Sequence, residues 1–195
     1  MYKDISSRQI EIIEASGKVI MAKGIAGLTT KNLANEMNFS ESALYRHFKN
    51  KEAIIIHLIG YLASNITDRF NDIISSDLKP EEQYLALFKS QFAFFKANPH
   101  FIVIVLSDGF IDNTAEVKNE ILKLINSNAA LIGKVIKSGQ KSKVFNDKFE
   151  VEDLLHFTMG SFRLQMLKWK LEGFSFDIEK QGIKTMTKLL TLISK

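Results

Sequence analysis

Proline is the residue an α-helix interior tolerates least, and this chain of 195 residues contains two, Pro80 and Pro99. Only ten glycines add to them as interrupters. Long stretches are therefore open to uninterrupted helix, whereas a sandwich of short strands needs turn residues at frequent intervals. An all-α fold is expected. The apolar share of 46% and charged share of 25% are those of a globular chain, with length for one substantial domain or two small ones. Cysteine is absent, which removes disulfides, thiolate zinc sites and cysteine nucleophiles, and suits a cytoplasmic location. No basic run leads into an apolar stretch at the N-terminus, so no signal peptide is expected. The longest uncharged window, Ala53 to Thr67, is too short for the roughly 18–20 apolar residues of a spanning helix. No membrane association is expected.

Hydrophobic periodicity divides the chain further. From about Ser6 to Lys23, Ile12, Ala15, Val19 and Ala22 recur at helical intervals, and Gly24 ends the pattern. Thr29 reads as the N-cap of a short helix carrying Leu33, Ala34 and Met37 on one face. Asn38-Phe39 forms a tight turn, and Ser40 caps a third helix from Glu41 to Phe48. Asn50 caps a fourth, which begins at Lys51 and reaches the low seventies. Two short helices joined by a tight turn and backed by a first helix make a helix-turn-helix unit. Beyond it, helices are expected from Pro80 to Ala97, Phe101 to Leu106, Thr114 to Lys137, Val151 to Leu171 and Asp177 to Ile193, with a polar loop over Ser138 to Glu150. The domain boundary falls between residues 50 and 51, giving domains 1–50 and 51–195.

Charge does not identify a partner. The net charge is +4, with eight Lys and Arg against six acids in residues 1–52, leaving 18 against 16 in the remainder. The residues at the turn are more informative. If Ser40 caps the third helix, the first-turn N–H groups face outward toward a phosphate or a base edge. Glu41 and Ser42 lie on that turn, and a glutamate there can accept from cytosine N4. Tyr45, His47 and Lys51 supply a phenol, an imidazole and an ammonium, groups that contact phosphate and fix register. Taken alone, Tyr45 reads equally as a half-buried helix tyrosine, and His47 as an idle surface histidine.

The segment from Ile12 to about Ile54 resembles the DNA-binding region of the TetR family of bacterial transcriptional regulators. Three pieces carry the likeness: Gly27-Leu28-Thr29-Thr30 before Leu33-Ala34, then Leu44-Tyr45-Arg46-His47-Phe48, then Lys51-Glu52. The resemblance implies that Thr29 and Thr30 contact backbone phosphate, and that Lys31 reaches a base or a phosphate. It implies that Glu41, Ser42 and Ala43 form the base-reading turn opened by Ser40. Tyr45, His47 and Lys51, with Arg46 beside them, stand at phosphate-clamp positions. Asn38 departs from the glycine usual in the family's turn, but asparagine tolerates the left-handed conformation.

The resemblance further implies an all-α homodimer whose C-terminal domain holds a regulatory pocket and the dimer interface. Phe88, Phe92, Phe95, Phe101, Met159, Phe162 and Met166 are the pocket candidates, with His156 and Arg163 as polar groups to orient a ligand. The same residues read alternatively as core. Leu164, Leu167, Leu171, Ile183, Met186, Leu190 and Ile193 have the spacing for a four-helix dimer interface, or for closing the monomer's own core. The remaining histidines lack metal-ligand spacing and no phosphate-binding glycine motif occurs, so neither enzyme activity, cofactor nor metal is expected. The expected function is a dimeric repressor released from a palindromic operator by a small, largely apolar effector. One alternative is a family member regulated by a protein partner, since Phe94-Phe95-Lys96-Ala97-Asn98-Pro99 followed by apolar residues and Asp108 resembles members that act in division control. The other is a helical lipid carrier or enzyme that has lost DNA binding.

Overall fold

The computed structural model describes residues 6–106 and 114–195; Asp108 lies outside them. Among the described residues there are nine helices and no strand. They are α1 (Ser7–Lys23), α2 (Thr30–Met37), α3 (Glu41–Tyr45), α4 (Lys51–Ile74), α5 (Pro80–Ala97), α6 (His100–Val105), α7 (Ala115–Lys141), α8 (Val151–Leu171) and α9 (Ile178–Ile193). The Ser6 and Asp177 side chains cap α1 and α9. Proline begins α5, where its missing N–H has no intrahelical role, and Glu81 and Glu82 follow at the positive end of the helix dipole. The apolar run after Pro99 is helical, as expected.

Two elements differ from their expected extents. The third helix ends at Tyr45 rather than Phe48, because His47 N–H turns back to the Leu44 carbonyl in a tighter closing turn. The loop expected from Ser138 begins only after Lys141, because Gly139 continues α7 and seats the Phe145 ring. A Cβ at residue 139 would lie 2.3 Å from that ring.

The described residues pack as two compact units, 6–64 with 98–106 and 114–124, and 65–97 with 125–195. This division differs from a boundary at residue 50, since the first half of α4, α6 and the start of α7 pack with the N-terminal helices. Within the first unit, Ile12, Ile13, Val19, Leu28, Leu33, Leu44, Phe48, Leu58 and Phe101 are buried. Gly17 lets the His100 ring lie against α1, where a Cβ would come within 2.9 Å of the imidazole. Burial pushes the His100 pKa down to about 4, so the ring is neutral at neutral pH.

The second unit is built on aromatic packing. Phe88, Phe92 and Phe95 of α5 meet Phe162 of α8 with centroids 5.7, 5.2 and 6.2 Å away. Tyr84 and Thr158, both fully buried, satisfy each other through a 3.2 Å hydrogen bond. Trp169 donates its indole N–H to the Phe176 carbonyl at 3.0 Å. Gly182 brings α9 onto Phe92, whose ring would stand 2.5 Å from a Cβ at that position. The chain closes with an isolated bridge between Phe145 and Ser194.

Two measurements follow from this packing. Gly182→Ala should destabilise the protein by about 1–3 kcal/mol, read as a lower midpoint in denaturant unfolding. The unfolded imidazole titrates near 6.5 and the folded one near 4, so the unfolded state binds more protons between those values. The stability contributed by neutral His100 is complete above about pH 6.5 and is lost as the pH falls toward 4. Thermal midpoints should therefore drop more steeply over this interval in the parent protein than in His100→Phe; parallel slopes would contradict a desolvated imidazole.

Candidate nucleic-acid interface

The loop before α2 is fixed by side chains that reach it from three helices. Asn32 donates to the Gly27 carbonyl at 2.8 Å, and its own carbonyl accepts from the Lys23 ammonium at 3.1 Å. The Lys51 ammonium donates to the Ile25 carbonyl at 3.2 Å. Thr29, in extended conformation, then caps α2 by accepting from Asn32 N–H at 3.1 Å.

Asn38 ends α2 with φ 54° and ψ 41°, in the left-handed region. Its N–H bonds to the Asn35 carbonyl, while Phe39 N–H bonds to the Ala34 carbonyl at 2.8 Å. Those two bonds satisfy the terminal carbonyls in the Schellman arrangement. Ser40 opens α3 two residues later, accepting from Ala43 N–H at 3.3 Å and contacting the Ser42 hydroxyl at 2.9 Å. The Thr30 hydroxyl donates to a Glu41 carboxylate oxygen at 2.7 Å, joining the first turns of the two helices. Leu33, Ala34, Leu44 and Phe48 are buried beneath them.

Thr29, Lys31, Ser40, Glu41, Ser42, Tyr45, Arg46 and His47 are exposed, and Thr30, Ala43 and Lys51 are half-buried. Tyr45 is 52% exposed, which removes the reading of a half-buried helix tyrosine. One N–H of the Lys51 ammonium meets the Ile25 carbonyl and so holds the approach to α2. Two features escape a reading of the sequence. Exposed Lys49 adds a cation beside Arg46, signalled only by its place between Phe48 and Lys51. The Thr30–Glu41 bond links residues eleven positions apart, and no local pattern announces it.

The residues assigned to a regulatory pocket fall in both units. Phe88, Phe92, Phe95 and Met166 are buried in the core of the second unit, with Met159 and Phe162 half-buried. Phe101 belongs to the first unit, stacked on Tyr61 at 6.0 Å. His156 is exposed, with Nδ1 2.9 Å from the Glu152 carbonyl, and Arg163 is exposed too, so it needs no buried partner. Of the residues assigned to a dimer interface, Met186 and Ile193 are buried and Leu167, Ile183 and Leu190 are half-buried. Leu164 and Leu171 stand 59% and 75% exposed. Phe157, Leu164 and Leu171 lie seven residues apart on one face of α8, and Leu192 on α9 is also exposed. No cluster of acids and histidines suited to a metal, and no helix long and apolar enough to cross a membrane, occurs among the described residues.

This arrangement of capped short helices around a left-handed turn is a helix-turn-helix DNA-binding domain. Residues 12–58 match the family model for bacterial regulatory proteins of the tetR family. The chain is 28% identical over 123 residues to the uncharacterized HTH-type transcriptional regulator YerO of Bacillus subtilis, covering 62% of this chain and 42% of that protein. It is 33% identical over 94 residues to the nucleoid occlusion factor SlmA of Aliivibrio fischeri, 48% of each chain. The chain thus spans less than half the length of these two relatives. Its fold is that of the transcriptional regulator FadR from Bacillus subtilis, solved in complex with stearoyl-CoA, with TM-score 0.83, 16% identity and 93% and 97% of the two chains covered. Residues 12–58 are thus a DNA-binding domain of the tetR type, and the whole chain has the fold of regulators that carry one.

The turn is directly testable. Asn38→Val should cost about 1–2 kcal/mol of stability, because a β-branched residue resists positive φ, whereas Asn38→Gly should be neutral within about 0.5 kcal/mol. Equal unfolding midpoints for the two variants would contradict the left-handed turn.

Proposed function

We propose that this chain is a cytoplasmic, homodimeric repressor that binds a pseudo-palindromic operator and is released by a small, largely apolar effector. The observation that carries the reading is the pair of side-chain-capped helix starts at Thr29 and Ser40, tied by Thr30 and Glu41 across the Asn38 turn. An exposed α3 start beside exposed Lys31, Tyr45, Arg46, His47 and Lys49 suits a recognition helix in the major groove. Thr29, Thr30, Tyr45 and the cations are the groups for phosphate. Ser42 and Ala43 are the residues for base edges, with the remaining carboxylate oxygen of Glu41 free to accept from cytosine. Lys51 is a positioning residue for the loop before α2.

The dimer draws support from the exposed stripe of Phe157, Leu164 and Leu171, since a heptad-spaced apolar face on a long helix loses free energy in water. Two such faces from a symmetric pair would cover each other and set two recognition helices for half-sites one DNA turn apart. The effector draws support from the aromatic packing of α5 and α8 and from the likeness to a regulator solved with stearoyl-CoA. A role in regulation accounts for these features without a catalytic step.

Three measurements test the reading. Tyr45→Phe should weaken operator and non-operator duplexes alike by at least about tenfold, since a hydrogen bond to a charged group contributes about 1.5–3 kcal/mol. Lys49→Ala should lower the slope of log affinity against log salt by about 1.8 for the dimer, one phosphate contact from each protomer. A variant with both Leu164 and Leu171 replaced by glutamate should sediment as a folded monomer and lose operator binding. A dimer that survives both glutamates would place the interface elsewhere.

A further inference from the structure

Arg69, near the C-terminal end of α4, is half-buried against α5 and pairs with no carboxylate among the described residues. Its helix neighbours Asp68 and Asp72 are exposed and form no ion pair with it. Burial pushes its pKa down to about 10, which leaves the guanidinium cationic at neutral pH. Withdrawing a charge from water without an opposite charge is costly, and hydrogen bonds to neutral groups offset only part of the cost.

The neutral groups are arranged in one particular sense. Nε donates to Asn65 Oδ1 at 2.8 Å, one Nη to Ser90 Oγ at 2.6 Å and the other Nη to Gln91 Oε1 at 2.9 Å. The Phe94 ring covers the guanidinium, with its centroid 4.8 Å from Cζ. A guanidinium can only donate, so the amide oxygens of Asn65 and Gln91 must face it, and their NH2 groups must face away. All three partners of Arg69 are neutral oxygens, and none of them supplies the negative charge that would balance it. Each Nη also keeps one of its two N–H groups. The cluster is a half-buried cation without a counter-charge.

We propose that Arg69, with Asn65, Ser90 and Gln91, forms an oxyanion site that takes the carboxylate head group of the effector. A carboxylate presents two oxygens in a plane and can accept from both Nη atoms at once, which a hydroxyl cannot. Phe94, half-buried and edge-on to Phe95 at 5.7 Å, places an apolar ring directly beside the cation, as the chain of such a ligand would require. The site rests on the reading that the second unit receives a small apolar effector, and it narrows that effector to an amphipathic acid. Arg163, exposed on α8, has no comparable setting.

The test compares decanoate with 1-decanol on the full-length protein by titration calorimetry, in the parent and in Arg69→Gln. Acetate is titrated separately while the Arg69 Nε–H resonance is followed in the parent. Decanoate should bind at least tenfold more tightly than decanol; Arg69→Gln should abolish that preference and leave decanol binding unchanged. Should Arg69→Gln fail to fold, Arg69→Lys keeps the charge without the fork and should reduce the preference. Equal affinities for decanoate and decanol would overturn the oxyanion site while sparing the apolar effector. If neither binds but acetate shifts the Arg69 resonance, the oxyanion site stands and the apolar effector fails. No binding and no shift would remove both.

Discussion

The left-handed residue between α2 and α3 is the constraint on which the DNA-binding domain depends. One residue at φ 54° reverses the chain, and two hydrogen bonds from Asn38 and Phe39 satisfy the carbonyls that α2 leaves open. With the reversal set, Ser40 falls where its hydroxyl can cap α3, and Leu44 and Phe48 fall on the buried side with Leu33. The same reversal brings Glu41 to Thr30, a bond that neither helix could make alone. Exposure of the α3 start follows from burial of its other face. A recognition surface is thus produced by local backbone chemistry, and the buried leucines hold it in place.

Much of this is legible in the residues. Capping side chains and turn residues act over three or four positions, so Thr29, Ser40, Asn50 and Pro80 could each be assigned a helix start from neighbours alone. The left-handed turn could be expected from Asn38 despite the departure from glycine. What local pattern cannot supply is the company a side chain keeps at long range. The bond from the Lys51 ammonium to the Ile25 carbonyl, 26 positions away, is one such contact. The grouping of α6 with the N-terminal helices depends on Gly17, whose missing Cβ matters only because His100 lies there.

The second unit shows the same limit more sharply. Apolar periodicity identifies α5, α8 and α9, but it cannot divide their residues among core, pocket and interface, because all three demand the same side chains. Phe92 and Met186 turn out buried, whereas Leu164 and Leu171 on equally apolar helices stand in solvent. Arg163, a charge within the apolar α8, has its side chain in water. Arg69, in a less apolar stretch, is the arginine that burial and neutral partners single out, and only the three-dimensional arrangement of Asn65, Ser90 and Gln91 reveals it.

Sequence-specific binding of duplex DNA is the central claim, and selection from a random duplex library with the purified protein tests it most directly. The account predicts an enriched inverted repeat whose half-sites lie about one helical turn apart. Binding to it should be specific by at least 10³ over random duplex and should fall steeply with salt. A folded protein that enriches no sequence, with or without amphipathic acids present, would contradict the reading of α3 as a recognition helix.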